Sequence, residues 1–393
     1  MEPVAAVPSL SVTAIVGMPE VQAGDDVASL LAECLAAQGL SLFPGDVVVV
    51  SSKIVSKAMG LRSGTSKDAA VASQTRRVVA ERATTGGGIT QVVVSAAGPV
   101  MAAAGVDASN TGDGDGLLLL PEDPDGAAAA LRLGLLAASG LAEWVEIGVV
   151  VSDTAGRPWR VGQVDFALGA AGVAVLDDLR GSLDADGREL SVTARATADE
   201  LAAVADLVKG KAEGIPAVLA RGSGLALGAK PLHALGEADA GAARLIRTGP
   251  GDWFDYGRAE AVRAALGIEP GSAAAADVGI PAVGDEAFGE RVARALAVAL
   301  HPLADVAVEK VEGVTGVEKI EGVAGFEGVN GVGATGEHGD AQIVGIVVRA
   351  PDPYQLGEAV ARLRVALWGE RIRVRDSGRL TESTAFLNLE SAV

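Results

Sequence analysis

Cysteine, histidine and aromatic side chains are scarce in this 393-residue chain, which has one cysteine, three histidines and 3% aromatic residues. The lone Cys34 excludes an internal disulfide framework and any thiolate cluster for zinc or iron and sulfur, and it suits a reducing compartment. His233, His301 and His338 are isolated and none stands in an H-x-x-x-H spacing, so a histidine-based metal site or nucleophile–base pair has little to draw on. No G-x-x-x-x-G-K-[ST] loop occurs, and no G-x-G-x-x-G opens a helix after a strand, so any nucleotide must be held another way. No apolar run approaches the roughly 18 residues that span a bilayer, and the N-terminus has no basic stretch leading into an apolar core. The expectation is a cytoplasmic protein.

Basic residues are also in the minority, 32 against 51 acidic ones, for a formal net charge of −19. The excess is shared, with 19 basic against 29 acidic side chains before residue 250 and 13 against 22 after it. Such a field repels nucleic acid backbones and anionic membranes, so neither is expected as a partner. What is abundant is aliphatic: 49% of residues are hydrophobic, enough for real cores in two or three domains of roughly 150 residues each.

Strand patterns fall at 11–16, 46–51, 90–95, 116–120, 146–152, 164–168, 189–195 and 216–220, and helical patterns at 26–38, 67–82, 126–139 and 197–209. The strands 164–168 and 172–176 are expected to pair across a short Gly-Ala turn. The arrangement reads as α+β, with a mixed or antiparallel sheet in a first domain, 1–249. A Gly- and Pro-containing junction, 250–282, holds one helix near 258–266. A smaller α/β domain, 283–393, then reads helix 285–300, strand 305–311, strand 341–349, helix 353–368 and strands 371–375 and 384–389. Inside it a nine-residue unit runs from Val308 to Gly316, repeats from Val317 to Gly325 and decays by Gly333, too few copies for a solenoid and read as a hairpin or long loop. Arg371, Arg373 and Arg375 alternate on one strand face, as edge protection does.

Chemistry-bearing residues collect at strand ends. Asp107 lies in a loop, and Asp153 with Thr154 follows a buried strand directly; carboxylates and a hydroxyl so placed suit a hard cation such as Mg²⁺ or Mn²⁺, and equally serve as caps of turns or helices. Asp107, Ser109, Thr111 and Gly112 imitate the start of a calcium loop, but Leu118 stands where its bidentate Glu belongs. Ser52, Lys53 and Lys57 follow the strand at 46–50 and bring hydroxyl and ammonium groups together, on what reads as a polar loop. Arg157 and Arg160 add forked donors for carboxylate or phosphate.

The motifs Gly17–Asp26, Ser52–Gly60, Gly105–Asn110, Leu118–Gly126 and Ser152–Arg157 occur in an order, continued by Asp186–Leu190, Ala198–Leu201 and Gly214–Ala217, that resembles the coenzyme F420:L-glutamate ligase family. The resemblance runs from about Val12 to Gly222. It implies GTP-dependent attachment of L-glutamate to coenzyme F420-0 and then of further glutamates through γ-linkages, by way of an acyl phosphate, with GDP released, in a homodimer. It implies nucleotide contacts at Met18, Pro19, Glu20, Val21, Ser52, Lys53, Lys57 and Asn110 and along the loop Lys209, Gly210, Lys211, Ala212, Glu213, Gly214 and Ile215. It also implies two divalent ions, Mg²⁺ or Mn²⁺, one on Asp107 and Asp153 and the second on Thr154. Where archaeal relatives have Gly-Glu with the Glu on metal, this chain has Gly210 and Lys211, leaving Glu213 or the Lys211 ammonium to take that place. Arg157, Arg160 and Arg188 are candidate substrate contacts. Residues 270–393 show no flavin-phosphate signature, so no FMN is expected. A non-catalytic coenzyme-binding scaffold and a bifunctional ligase with a divergent flavin-binding domain are the two rival readings.

Overall fold

The structure, a computed structural model, describes residues 9–109, 111, 116–226, 241–301, 303, 305–312 and 344–392. The chain divides into two compact units, one built from residues up to 77 and from 92–253, the other from 78–91 and 254 onward.

In the first unit a five-stranded sheet runs in the order Ser11–Ile15, Ala217–Arg221, Val47–Ser51, Gly148–Arg157, Arg160–Ala171. Neighbours are antiparallel except Val47–Ser51 and Gly148–Arg157, which run parallel. The valine run at 47–50 is continuous because the strand is covered on both faces. Val48 and Val50 pack with Leu31, Leu135 and Leu136 of helices Val27–Ala37 and Pro124–Ala138. Val47 and Val49 pack with Leu201, Ala202 and Ala205 of helix Thr197–Lys209. Burying each such leucine is worth about 1.5–3 kcal/mol. Asp26 accepts the amides of Ala28 and Ser29, and Asp123 that of Gly126, so both helices of the first face start at an acidic cap.

The mixed sheet and its helices are the α+β architecture the patterns indicated, but the strand expected at 189–195 forms only over Ala194–Arg195, and three further local corrections follow. Helix Lys67–Ser73 stops short of residue 82: the Ser73 and Thr75 hydroxyls bond back to the carbonyls of Ala70 and Val71, and the β-branched stretch that follows forms strand Thr75–Ala83. Residues 164–168 and 172–176 do not pair with each other. Instead one long strand, Arg160–Ala171, pairs with Gly148–Arg157 and ends at Gly172, whose φ of +65° and lack of room beside Arg132 and the Ile147 carbonyl admit no side chain. Ser52–Ala58, read as a loop, is a helix that begins directly after its strand.

The second unit has a four-stranded antiparallel sheet in the order Ala307–Glu312, Val344–Arg349, Thr384–Ser391, Ile372–Thr381. Helices Phe288–Leu300 and Pro353–Gly369 supply Val292, Ala295, Leu363 and Leu367 to a core shared with Ile346, Leu387 and Leu389 of the sheet. Arg373 and Arg375 are exposed on the edge strand. The repeat's first residues lie in strand Ala307–Glu312, and its remainder, from 313, lies outside the described residues, as do His233, His338 and Asn110. Among the described residues no helix is long and apolar enough to cross a membrane.

Candidate functional site

The parallel pairing of Val47–Ser51 with Gly148–Arg157 sets Ser51 opposite Ser152, so two motifs a hundred residues apart lie side by side: Ser52 opens a helix, while Asp153 and Thr154, expected just past their strand, continue within it. Ser52 Oγ donates to Asp153 Oδ1 at 3.0 Å. Lys53, one residue on, reaches Asp107: its Nζ lies 2.6 Å from Oδ2 and also donates to the carbonyl and hydroxyl of Ser109. A turn later Lys57, buried, pairs with Glu20 at 2.5 Å. Lys53, Lys57, Glu20 and Asp153 line a cleft of about 460 Å³ together with Met18, Pro19 and Val21 and with Lys209, Gly210, Lys211, Ala212, Gly214 and Ile215.

Strand Arg160–Ala171 adds Asp165, opposite Thr154 in the ladder. Its carboxylate accepts from Ser152 Oγ at 2.9 Å, Thr154 Oγ1 at 2.6 Å and Lys209 Nζ at 2.5 Å, and the ion pair with Lys209 is buried on both sides. Lys211 Nζ donates to Thr154 Oγ1 at 3.3 Å. Glu213 turns away from the cleft wall, folding over Gly210 to accept the Ala212 amide at 2.9 Å.

The three aspartates differ electrostatically. Burial raises the Asp107 carboxyl, but the Lys53 ammonium and the Ser109 amide outweigh it and hold the group below its ordinary value. Burial likewise raises Asp165, and the Lys209 charge with the two hydroxyl donors reverses that. Asp153 has no ammonium in contact among the described residues. Burial pushes it up to about 6, the Ser52 hydroxyl and Thr154 amide oppose this, and the charges of Asp165 and Asp107 add to it.

Among the described residues no three His, Cys, Asp or Glu side chains form a ready-made metal cluster. The donors that converge are carboxylates and hydroxyls, the hard oxygen set of Mg²⁺ or Mn²⁺, which commonly take one or two protein carboxylates and complete their shell with water and phosphate oxygens. A half-buried, under-compensated Asp153 beside a second carboxylate fits such an ion.

Most of the sequence-derived residues therefore meet in one cleft: Met18, Pro19, Glu20, Val21, Lys53, Lys57, Asp153, Thr154, Lys209, Gly210, Lys211, Ala212, Gly214 and Ile215 line it. Ser52 and Asp107 join through their bonds to Asp153 and Lys53. The arginines do not. Arg157 lines a separate cleft of about 400 Å³ with Phe166 and Ile246, Arg160 is exposed at the hairpin end, and Arg188 sits in a turn whose amide bonds Asp184. Sequence reasoning passed over Ser152, Asp165 and Asp206, which also line the cleft. An acid at position 165 inside an otherwise apolar strand is the signal that marks it.

A family model described as F420-0:Gamma-glutamyl ligase matches residues 16–222. A protein of Halobacterium salinarum named coenzyme F420:L-glutamate ligase is 40% identical over 230 residues, covering 53% of this chain and 85% of the relative. Proteins of the same name from Methanothermobacter thermautotrophicus and Methanopyrus kandleri are 38% and 39% identical, covering 54% and 55% of this chain and 89% and 88% of theirs.

Proposed function

Because the chain belongs to the F420-0:gamma-glutamyl ligase family, we propose that it joins L-glutamate to coenzyme F420-0, and adds further glutamates by γ-linkages, in a reaction driven by GTP and a divalent metal. The acceptor carboxylate attacks the γ-phosphorus of GTP, giving an acyl phosphate and GDP; the glutamate amine then attacks the acyl carbon, loses its proton and expels phosphate. A carboxylate is a poor acyl donor until so activated, and the activation crowds negative charge into one place.

The cleft answers that crowding in a chain that is otherwise acidic. Lys57 and Lys211 present ammonium groups to it, Lys53 lines it while held by Asp107, and Lys57, held by Glu20, is the leading candidate phosphate contact. Lys209 is committed to Asp165 and acts by fixing that carboxylate, and through it the Ser152 and Thr154 hydroxyls. Asp107 and Asp153 would hold Mg²⁺ or Mn²⁺, and Thr154 a second ion beside the Lys211 ammonium. When bound, such ions neutralise phosphate oxygens during transfer. The observation that carries the reading is Asp153: a half-buried carboxylate flanked by two others whose lysines are already engaged.

The enzyme is proposed to act in the cytoplasm as a homodimer. Purified protein given GTP, Mn²⁺ or Mg²⁺, L-glutamate and coenzyme F420-0 should yield GDP and glutamylated coenzyme by mass spectrometry. Coenzyme binding without GTP turnover, unchanged in Asp153→Asn, would replace this reading with that of a scaffold.

A further inference from the structure

The second unit carries a cleft of about 530 Å³ of its own, faced by Arg82, Arg258, Arg291 and Arg371 and by the acids Asp285, Glu286 and Glu370. Much of this charge is already spoken for. Arg294 pairs with both Glu286 and Glu370, Arg263 also reaches Glu370, and Arg82 pairs with Glu260.

Three guanidinium groups remain without a carboxylate partner among the described residues. Arg258 donates to the Trp368 carbonyl at 2.7 Å and lies 4.2 Å over that residue's ring. Arg291 donates to the Glu370 carbonyl at 3.1 Å and the Ser391 hydroxyl at 3.0 Å, while its Nε is buried with no partner. Among the described residues Arg371 makes no side-chain hydrogen bond or ion pair, and it is exposed. Partial burial and the nearby Arg371 charge push the Arg258 group below its ordinary value, so the two cations stand close enough to repel. Arg291 is felt by the nearby Glu286 charge, but in a chain with 51 acids to 32 bases, three arginines on one cavity without a close ion pair run against composition.

The backbone adds a second observation. Arg371 follows the cap residue Glu370 of helix Pro353–Gly369 with φ +58°, and its amide bonds the Trp368 carbonyl at 3.1 Å. This is the helix-ending position that glycine favours, and an arginine there is held against its conformational preference.

We propose that this cleft binds a small oxyanion carrying two or more charges, of phosphate or carboxylate type, on Arg258, Arg291 and Arg371. The forked guanidinium matches either group in a bidentate way. Asp285 at the wall opposes the ligand and limits its affinity. The site lies wholly within the second unit and does not depend on the ligase reading.

The test is calorimetric titration of the full-length protein at low ionic strength with inorganic phosphate, pyrophosphate and L-glutamate as separate probes, repeated in a Lys57→Met background to remove anion binding at the first cleft. At least one probe should saturate in both backgrounds, and the preferred probe tells phosphate from carboxylate. Arg258→Gln and Arg371→Gly should each weaken that binding about tenfold or more, and Asp285→Asn should tighten it. Arg371→Gly separates the guanidinium from the fold, because glycine relieves the backbone: melting temperature should hold or rise by about 2 °C while binding is lost. Absence of saturation at about 10 mM of every probe, binding that survives both arginine changes, or binding that disappears with Lys57→Met would overturn the proposal.

Discussion

Asp153 links the first cleft's electrostatics to a measurable stability. Its carboxyl titrates near 6 in the folded protein against 3.8 as the ordinary value, so between those limits the folded state keeps a proton that the unfolded state has released. Stability therefore falls as pH rises through that window, and above pH 6 the ionised, buried group costs about 3 kcal/mol, at 1.36 kcal/mol per pKa unit. Asp153→Asn keeps an oxygen to accept from Ser52 and removes the charge. In the presence of a chelator at pH 7.5 the variant should be more stable than wild type by up to about 3 kcal/mol, or roughly 6–12 °C in melting temperature, with the gain gone below pH 4. Excess Mn²⁺ should stabilise the wild type by mass action and leave the variant where it was. Urea melts at pH 4–8, with chelator and with Mn²⁺, measure all three differences. A variant less stable than wild type at pH 7.5 without metal, or a gain that does not change with pH, would refute the account of Asp153 as an uncompensated buried charge.

Lys57→Met should raise the KM for GTP about tenfold or more with little loss of stability, since Glu20 is substantially exposed and can rehydrate; an unchanged KM would remove Lys57 from the phosphate site. Lys209→Met leaves Asp165 ionised and buried without its ammonium, at a cost of about 3–5 kcal/mol in urea denaturation. Adding Asp165→Asn should restore much of it, whereas additive losses would contradict the pairing. Gly172→Ala forces a side chain into a left-handed position against Arg132 and the Ile147 carbonyl, and should cost about 2 kcal/mol or more; a neutral result by thermal melt would overturn the reason given for where that strand ends.

The elements legible in the sequence are those whose signals are local. Helix Thr197–Lys209 has the bounds its pattern gives, with Asp199 and Glu200 in the first turn and Lys209 in the last, and the valine run at 47–50 is apolar enough to require cover on both faces. Lys67–Arg82 misleads because alanines and charged residues carry a helical pattern past Ser73, while the break is made by two hydroxyls reclaiming carbonyls, an event that composition barely records. Ser52–Ala58 misleads in the opposite sense: its hydroxyl and ammonium groups look like a loop, yet Ser52, Ser56 and Lys57 are buried, because the helix lies against the sheet end, with Lys53 and Lys57 at the cleft.

The site divides along the same line. Asp107 and Asp153 announce themselves as acids beside apolar stretches, but what makes Asp153 unusual is first its lost hydration and then the added charge of a third acid across the ladder, a neighbour fixed by register alone. Asp165 stands opposite Thr154 only because strand Arg160–Ala171 folds back along Gly148–Arg157 with register shifts at Val151/Ser152 and Gly156/Arg157. Moving the pairing by one residue would carry Asp165 to the other face, away from Lys209. Arg157 and Arg160 lie outside the cleft for the same reason: three and six positions beyond Thr154 in sequence, they follow the hairpin outward to its exposed end, so proximity along the chain becomes distance from the cleft. The lysines that do reach it come from helix Ser52–Ala58 and from the end of helix Thr197–Lys209 and its following loop, elements delivered to one place by a parallel strand pair and a covering helix. The gathering of four lysines among four acids on one cleft is thus a property of topology, which is why the residue types could be anticipated and their partners could not.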